Sequence, residues 1–198
     1  MNLPNKITLL RVILIPIMLI IPLFGIRATI LGINVGNLII LAIFLIASFT
    51  DFLDGYIARK NDLVTDFGKF LDPIADKLLV ITALIMLVEM RIIPGWIPII
   101  IIAREFIVSG IRMIAAGKGT VIAASWYGKV KTVSQMVAIS LAFISNYSFL
   151  SFATLSLRGF DLILNFLMTI AMLFAVAATI FSGVDYFNNS KDLILKSK

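Results

Sequence analysis

The chain has 198 residues, 61% of them hydrophobic and 14% charged, with a mean hydropathy of +1.08, where soluble domains run at about 45–50% apolar and about 25% charged. So short a chain cannot hide that much apolar surface from water; lipid must be the solvent for most of it, and a soluble enzyme, a disordered tail and a disulfide scaffold are excluded. The absence of Cys and His removes thiolate and imidazole chemistry, and the net charge of +6 reads as basic loops facing anionic lipid rather than as nucleic-acid binding.

Six apolar runs follow in chain order, at 13–24, 35–49, 78–88, 92–102, 133–144 and 162–181. With their flanks each approaches the ~20 residues that cross a bilayer. At ~1.5 Å rise per residue the chain supplies roughly 300 Å of helix, enough for six spans with short connectors. The expected fold is an all-α integral membrane bundle of six transmembrane helices, one domain over 1–198. Residues 2–10 are expected to lie in the interface ahead of the first span, which Pro16 and Pro22 interrupt. Lys6 and Arg11 before an apolar stretch look like a signal sequence, but no small-residue cleavage site follows, so the first span is expected to stay attached.

Lysine and arginine set the expected orientation. With both termini cytoplasmic, Lys6, Arg11, Arg59, Lys60, Lys69, Lys77, Lys118, Lys129, Lys131, Lys191, Lys196 and Lys198 fall inside, and only Arg27, Arg91 and Arg158 outside. Arg104 and Arg112 fall within a predicted helix. That asymmetry places the protein in the cell membrane as a multi-pass chain with its chemistry at the cytoplasmic face.

Six of the eleven acidic residues lie between Asp51 and Asp76. Asp51 and Asp54 end the second apolar run, three apart; Asp72 and Asp76 begin the third, four apart. On helices these spacings put each pair on one face, and a short connector makes the two helices antiparallel neighbours, so four carboxylates can converge. An ionised Asp at a helix centre costs roughly 2.5–3.5 kcal/mol on insertion scales. Two like charges ~4 Å apart repel by roughly 4 kcal/mol at an effective dielectric of 20. Capping, or pairing with Arg59, Lys60, Lys69 and Lys77 in a solvated loop, would suit Asp62 and Asp66 better than the four spaced aspartates, and a place at a helix start could by itself account for Asp72 and Asp76. It would not account for Asp51 and Asp54, which sit where the helix dipole disfavours anions. Divalent cations would neutralise the cluster, and carboxylates without His or Cys point to Mg²⁺, Mn²⁺ or Ca²⁺, with room for two ions.

The same residues carry a family resemblance. Asp51-x-x-Asp54-Gly55-x-x-Ala58-Arg59, eight residues, then Gly68-x-x-x-Asp72-x-x-x-Asp76 resembles the signature of the CDP-alcohol phosphatidyltransferases at every motif position. The opening Asn2-Leu3-Pro4-Asn5-Lys6-Ile7-Thr8-x-x-Arg11 and the segment Gly128-Lys129-Val130-Lys131-Thr132 are similar to the phosphatidylglycerophosphate synthases of bacteria within that family. The resemblance implies transfer of a phosphatidyl group from CDP-diacylglycerol to an alcohol, with release of CMP.

By motif position, Asp51, Asp54, Asp72 and Asp76 would be metal ligands for Mg²⁺ or Mn²⁺, two ions in all, and Asp76 also the general base. Gly55 and Ala58 would let the nucleotide approach the backbone, and Arg59 would contact phosphate. Thr65, Asp66 and Gly68 would hold the cytidine head, with Asn5 and Thr8 adding hydrogen bonds. Homodimers are usual among proteins of this kind.

The acceptor needs its own anion site. Arg104 and Arg112, eight apart, lie nearly on one helix face, and Lys129 and Lys131 stand at the start of the next helix. Glu105 points about 100° away from Arg104 and is expected to neutralise it poorly. A phosphorylated acceptor such as glycerol 3-phosphate would supply the missing negative charge. Phosphatidylglycerol, inositol phosphate and serine stand as alternatives, and a carboxylate-lined cation transporter as a reading from another class.

Overall fold

A computed structural model describes the backbone at residues 3–30, 32–60, 66–120 and 125–195, and the side chains within these except at 3–6, 51–60, 66–70, 72 and 192–195. The described residues are mostly helical. In order the chain forms α1 (Leu3–Ile20), a 3-10 turn (Ile21–Phe24), β1 (Thr29–Ile30), β2 (Ile33–Asn34), α2 (Val35–Lys60), α3 (Asp66–Glu89), α4 (Trp96–Gly117), α5 (Trp126–Ile144), α6 (Ser151–Thr154) and α7 (Gly159–Leu195). The packing divides into two compact units, Met1–Ile92 with Ala142–Asn146, and Ile93–Leu141 with Tyr147–Lys198.

In the first unit α1, α2 and α3 pack on one another. The buried interior alternates bulk with small side chains: Met18, Ile40, Phe44, Leu84 and Leu87 against Ala47, Ala75 and Ala83. Alanine at these positions lets helix backbones approach closely, as membrane helices require when lipid offers no hydrophobic drive to association. The start of α2 is fixed locally. Asn34 Oδ1 accepts the amides of Gly36 at 2.7 Å and Asn37 at 3.3 Å, while its Nδ2 donates to the Ile26 carbonyl at 2.9 Å. That cap satisfies helix-start donors otherwise without partners. A Cβ on Gly36 would stand 2.9 Å from the same Asn34 oxygen, so the cap demands glycine there. β1 and β2 form a short antiparallel ladder, Thr29 opposite Asn34 and Ile30 opposite Ile33.

In the second unit α4 packs along α7. The buried face of α4 is Ile97, Ile101, Val108, Ile111 and Ala115, at helical spacing. Along α7 the buried residues include Leu164, Met168, Met172 and Ala175, with Asn165 and Thr169 beside them, and further on Thr179, Ser182, Tyr186 and Ser190. Near the start of α7, Asn165 anchors α6 by accepting the Phe152 amide at 2.8 Å and donating to the Ser148 carbonyl at 2.9 Å. Outside, the helices carry Ile99, Phe106, Met113, Phe174 and Phe181 in the open, an arrangement water would not tolerate over so large an area.

Each apolar run falls on a different long helix, but the boundaries differ from the expected ones. Residues 2–10 were expected to lie in the interface ahead of the first span; from Leu3 they belong to α1, which continues through Pro16 to Ile20, and the 3-10 turn carrying Pro22 is closed by Gly25 (φ 59°). The fourth run begins in the turn around Arg91 and continues as α4 well beyond residue 102, carrying Arg104, Glu105 and Arg112 on the helix. Two stretches among the described residues are long and apolar enough to cross a membrane, Ile7–Phe24 and Gly159–Lys191, with Val35–Thr50 a shorter apolar helix.

Candidate active site

Two polar sites are built, one in each unit. In the first, Asp51 and Asp54 belong to the C-terminal half of α2, and Asp72 and Asp76 to the N-terminal half of α3, the helix that packs on it. The side chains of Asp51, Asp54 and Asp72 lie outside the described residues, as do those of Asn5, Gly55, Ala58, Arg59, Asp66 and Gly68 and the whole of Thr65. Asp76 is described. Its side chain is 48% exposed, and its Oδ1 accepts a hydrogen bond from Arg11 Nη1 at 3.1 Å.

Arg11 is the residue that sequence reasoning undervalued. It reads as a topology marker, yet it is fully buried, donating from Nε to the Ala47 carbonyl at 3.2 Å as well as to Asp76. One side chain from α1 thus ties the backbone of α2 to a carboxylate of α3. Thr8, one turn earlier on α1, is buried as well. The signal in the sequence was position: an arginine three residues after a threonine, just ahead of an apolar stretch, needs an anion if the helix buries that face.

The second site joins α4, α5 and α7. Arg104 donates through Nη1 to Glu105 Oε1 at 3.4 Å and through Nη2 to Ser182 Oγ, and Glu105 also takes the ammonium of Lys131. These three charged side chains are 11%, 17% and 7% exposed. Glu105 therefore neutralises better than its 100° offset suggests, because its length lets it reach back to Arg104 and across to α5. Arg112, two turns along α4, donates to the Tyr186 hydroxyl. Gly128 and Gly183 flank Arg104; a Cβ on Gly183 would meet its Cγ at 3.3 Å. The Nε of Arg104 is buried with no acceptor among the described residues.

Of the four basic residues expected at an acceptor site, Arg104, Arg112 and Lys131 meet here, and Lys129 does not join them. Two residues apart on α5 means about 200° apart around the helix. Lys131 is buried against Glu105, while Lys129 is exposed beside Trp126, Val133 and Val137, along an apolar groove between α5 and α7. Among the described residues, three cations against one carboxylate leave an excess of two positive charges here. Asp185, next in sequence to Tyr186, takes the amide of Asn189 instead. Ser182 and Tyr186 were not foreseen; their four-residue spacing on α7, continued by Ser190, was the available sign.

The family model described as CDP-alcohol phosphatidyltransferase matches residues 1–182. A relative in Bacillus subtilis (strain 168), named CDP-diacylglycerol–glycerol-3-phosphate 3-phosphatidyltransferase, is 46% identical over 201 residues, covering 99% of this chain and 98% of its own. A relative with the same name in Rickettsia typhi is 39% identical over 191 residues, covering 96% and 97%. Another of that name in Haemophilus influenzae is 46% identical over 143 residues, covering 70% and 73%.

Proposed function

The chain belongs to the CDP-alcohol phosphatidyltransferase family and is an enzyme of that class; on that premise we propose that it transfers a phosphatidyl group from CDP-diacylglycerol to glycerol 3-phosphate, giving phosphatidylglycerophosphate and CMP. The observation that carries the acceptor is the charge count at Arg104, Arg112, Lys131 and Glu105. Among the described residues these side chains carry two more positive charges than negative ones, with Arg104 and Lys131 largely buried and Arg112 exposed, and a phosphate monoester dianion matches that excess. Phosphatidylglycerol, a monoanionic diester, and serine leave it unmatched. Inositol phosphate carries the same dianion, and the names of the relatives favour glycerol 3-phosphate. Family membership sets the cation-transporter reading aside.

Asp51, Asp54, Asp72 and Asp76 would hold two Mg²⁺ or Mn²⁺ ions; a set of carboxylates in a chain without His or Cys fits hard cations. Bound there, the ions supply neutralisation of the pyrophosphate and of the departing CMP. Asp76 takes the proton of the acceptor hydroxyl as its oxygen attacks the lipid-side phosphorus. A new P–O bond forms at that phosphorus, the bond to the bridging oxygen breaks, and that oxygen leaves with CMP. Arg11 fixes one oxygen of Asp76 and so orients the base. In this reading the six long helices span the membrane with both termini cytoplasmic, and the enzyme is a homodimer. The exposed apolar faces of α4 and α7 meet lipid, and the basic loops meet anionic headgroups.

The test is CMP release by the purified protein in detergent from CDP-diacylglycerol, with glycerol 3-phosphate, inositol 1-phosphate, phosphatidylglycerol or serine as acceptor, and with Mg²⁺ or a chelator. Metal-dependent release with glycerol 3-phosphate is expected. No release with any acceptor would sink the reading, and release with serine alone would overturn the acceptor.

A further inference from the structure

Arg104 and Arg112 are two turns apart on α4, about 12 Å along the axis, yet both guanidinium groups lie over one aromatic ring. The carbon Cζ of Arg104 is 5.5 Å from the centroid of Tyr186, and that of Arg112 is 5.3 Å from it. Tyr186 comes from α7 and is 3% exposed. Its hydroxyl oxygen accepts from Arg112 Nη2 and from the Ser125 amide at 3.4 Å. A tyrosine serving only as core packing would be surrounded by apolar side chains; this one has a cation against its ring twice and a cation on its hydroxyl.

We propose that Tyr186 is a positioning residue for the acceptor phosphate, holding Arg104 and Arg112 at a set separation so that both can address one dianion. This rests on reading the α4–α7 cluster as the acceptor site. The electron-rich ring face attracts each guanidinium and draws them toward a common centre against their mutual repulsion. The hydroxyl selects one rotamer of Arg112 from the many that a long side chain can adopt, and Ser182 does the same for Arg104. Side-chain entropy is then lost on folding rather than on binding, which strengthens capture of the phosphate without Tyr186 touching it. The hydroxyl and the ring contribute separately, so the two can be removed in turn.

The experiment uses the full chain in nanodiscs and measures KM for each substrate and kcat for Tyr186→Phe, Tyr186→Leu, Arg104→Gln, Arg112→Gln and the double variant Tyr186→Leu/Arg112→Gln. Tyr186→Phe, which keeps the fold and the ring, should raise the glycerol 3-phosphate KM about fivefold, and Tyr186→Leu about thirtyfold. The CDP-diacylglycerol KM should stay within about twofold. Adding Tyr186→Leu to Arg112→Gln should raise the acceptor KM by a smaller factor than Tyr186→Leu does alone, since the contact to Arg112 is already gone and only that to Arg104 remains to be lost. Equal changes in both KM values, or a loss of thermal stability with no change in acceptor KM, would overturn the proposal. If Arg104→Gln and Arg112→Gln leave the acceptor KM unchanged, the acceptor reading itself falls and Tyr186 with it. If they raise it while Tyr186→Phe and Tyr186→Leu do not, only the role of Tyr186 falls.

Discussion

Arg11 Nη1 stands 3.1 Å from Asp76 Oδ1, and the arginine that makes this contact has no exposed side-chain surface while the aspartate is half open. The buried partner ties α1 to α2 and α3, and the half-open one is the carboxylate that, in the proposed reaction, receives the acceptor proton. Replacing Arg11 with Gln strips the fork that serves the Ala47 carbonyl and Asp76 together. Loss of these buried hydrogen bonds should cost about 1–3 kcal/mol of stability, read as a lower melting temperature in detergent. CMP release should fall at least about tenfold. Arg11→Lys should recover little, because an ammonium cannot reproduce two directed N–H bonds.

Asp76→Asn should leave the helices intact and lower CMP release by about a hundredfold or more, since an amide cannot accept the hydroxyl proton. Circular dichroism together with a turnover assay separates the two effects. Chelation of divalent ions should abolish turnover of the unaltered protein, with Mg²⁺ or Mn²⁺ restoring it. Full turnover in a chelator would contradict the metal assignment of the four aspartates.

Glu105 holds Lys131 and Arg104 together in a cluster less than one-fifth exposed. Glu105→Gln leaves two cations facing each other without their shared anion. Breaking such a buried pair costs about 3–5 kcal/mol, so thermal stability should drop clearly. Adding inorganic phosphate should restore part of it by supplying the missing negative charge. Thermal unfolding with and without phosphate reads this directly.

Lys129 and Lys131 should behave differently despite sharing one basic segment. Lys131→Gln should raise the glycerol 3-phosphate KM at least about tenfold, since it removes a largely buried charge. Lys129→Gln, on the exposed side of α5, should change it less than about twofold, in keeping with a surface charge. Steady-state kinetics on the two variants decides the matter, and equal effects would return Lys129 to the acceptor site.

Composition and spacing determined a good deal here. Long continuous apolar runs point to helices in lipid, because hydrocarbon leaves backbone groups no partner except each other and a helix satisfies them within one run. Asp51, Asp54, Gly55, Ala58, Arg59, Gly68, Asp72 and Asp76 were legible as a motif because their intervals are local and set by helical period. The outlines of six apolar runs were legible for the same reason, and their ends less so. Arg104, Glu105 and Arg112 interrupt the apolar pattern without ending α4, since a helix continues through charge when its neighbours supply partners. What only the tertiary structure decided were pairings across helices far apart in the chain. Arg11 meets Asp76 across sixty-five positions, Arg104 meets Ser182 across seventy-eight, and Arg112 meets Tyr186 across seventy-four. No periodicity encodes such pairs; they follow from which buried stripe faces which, and that is settled by packing volume once the helices come together.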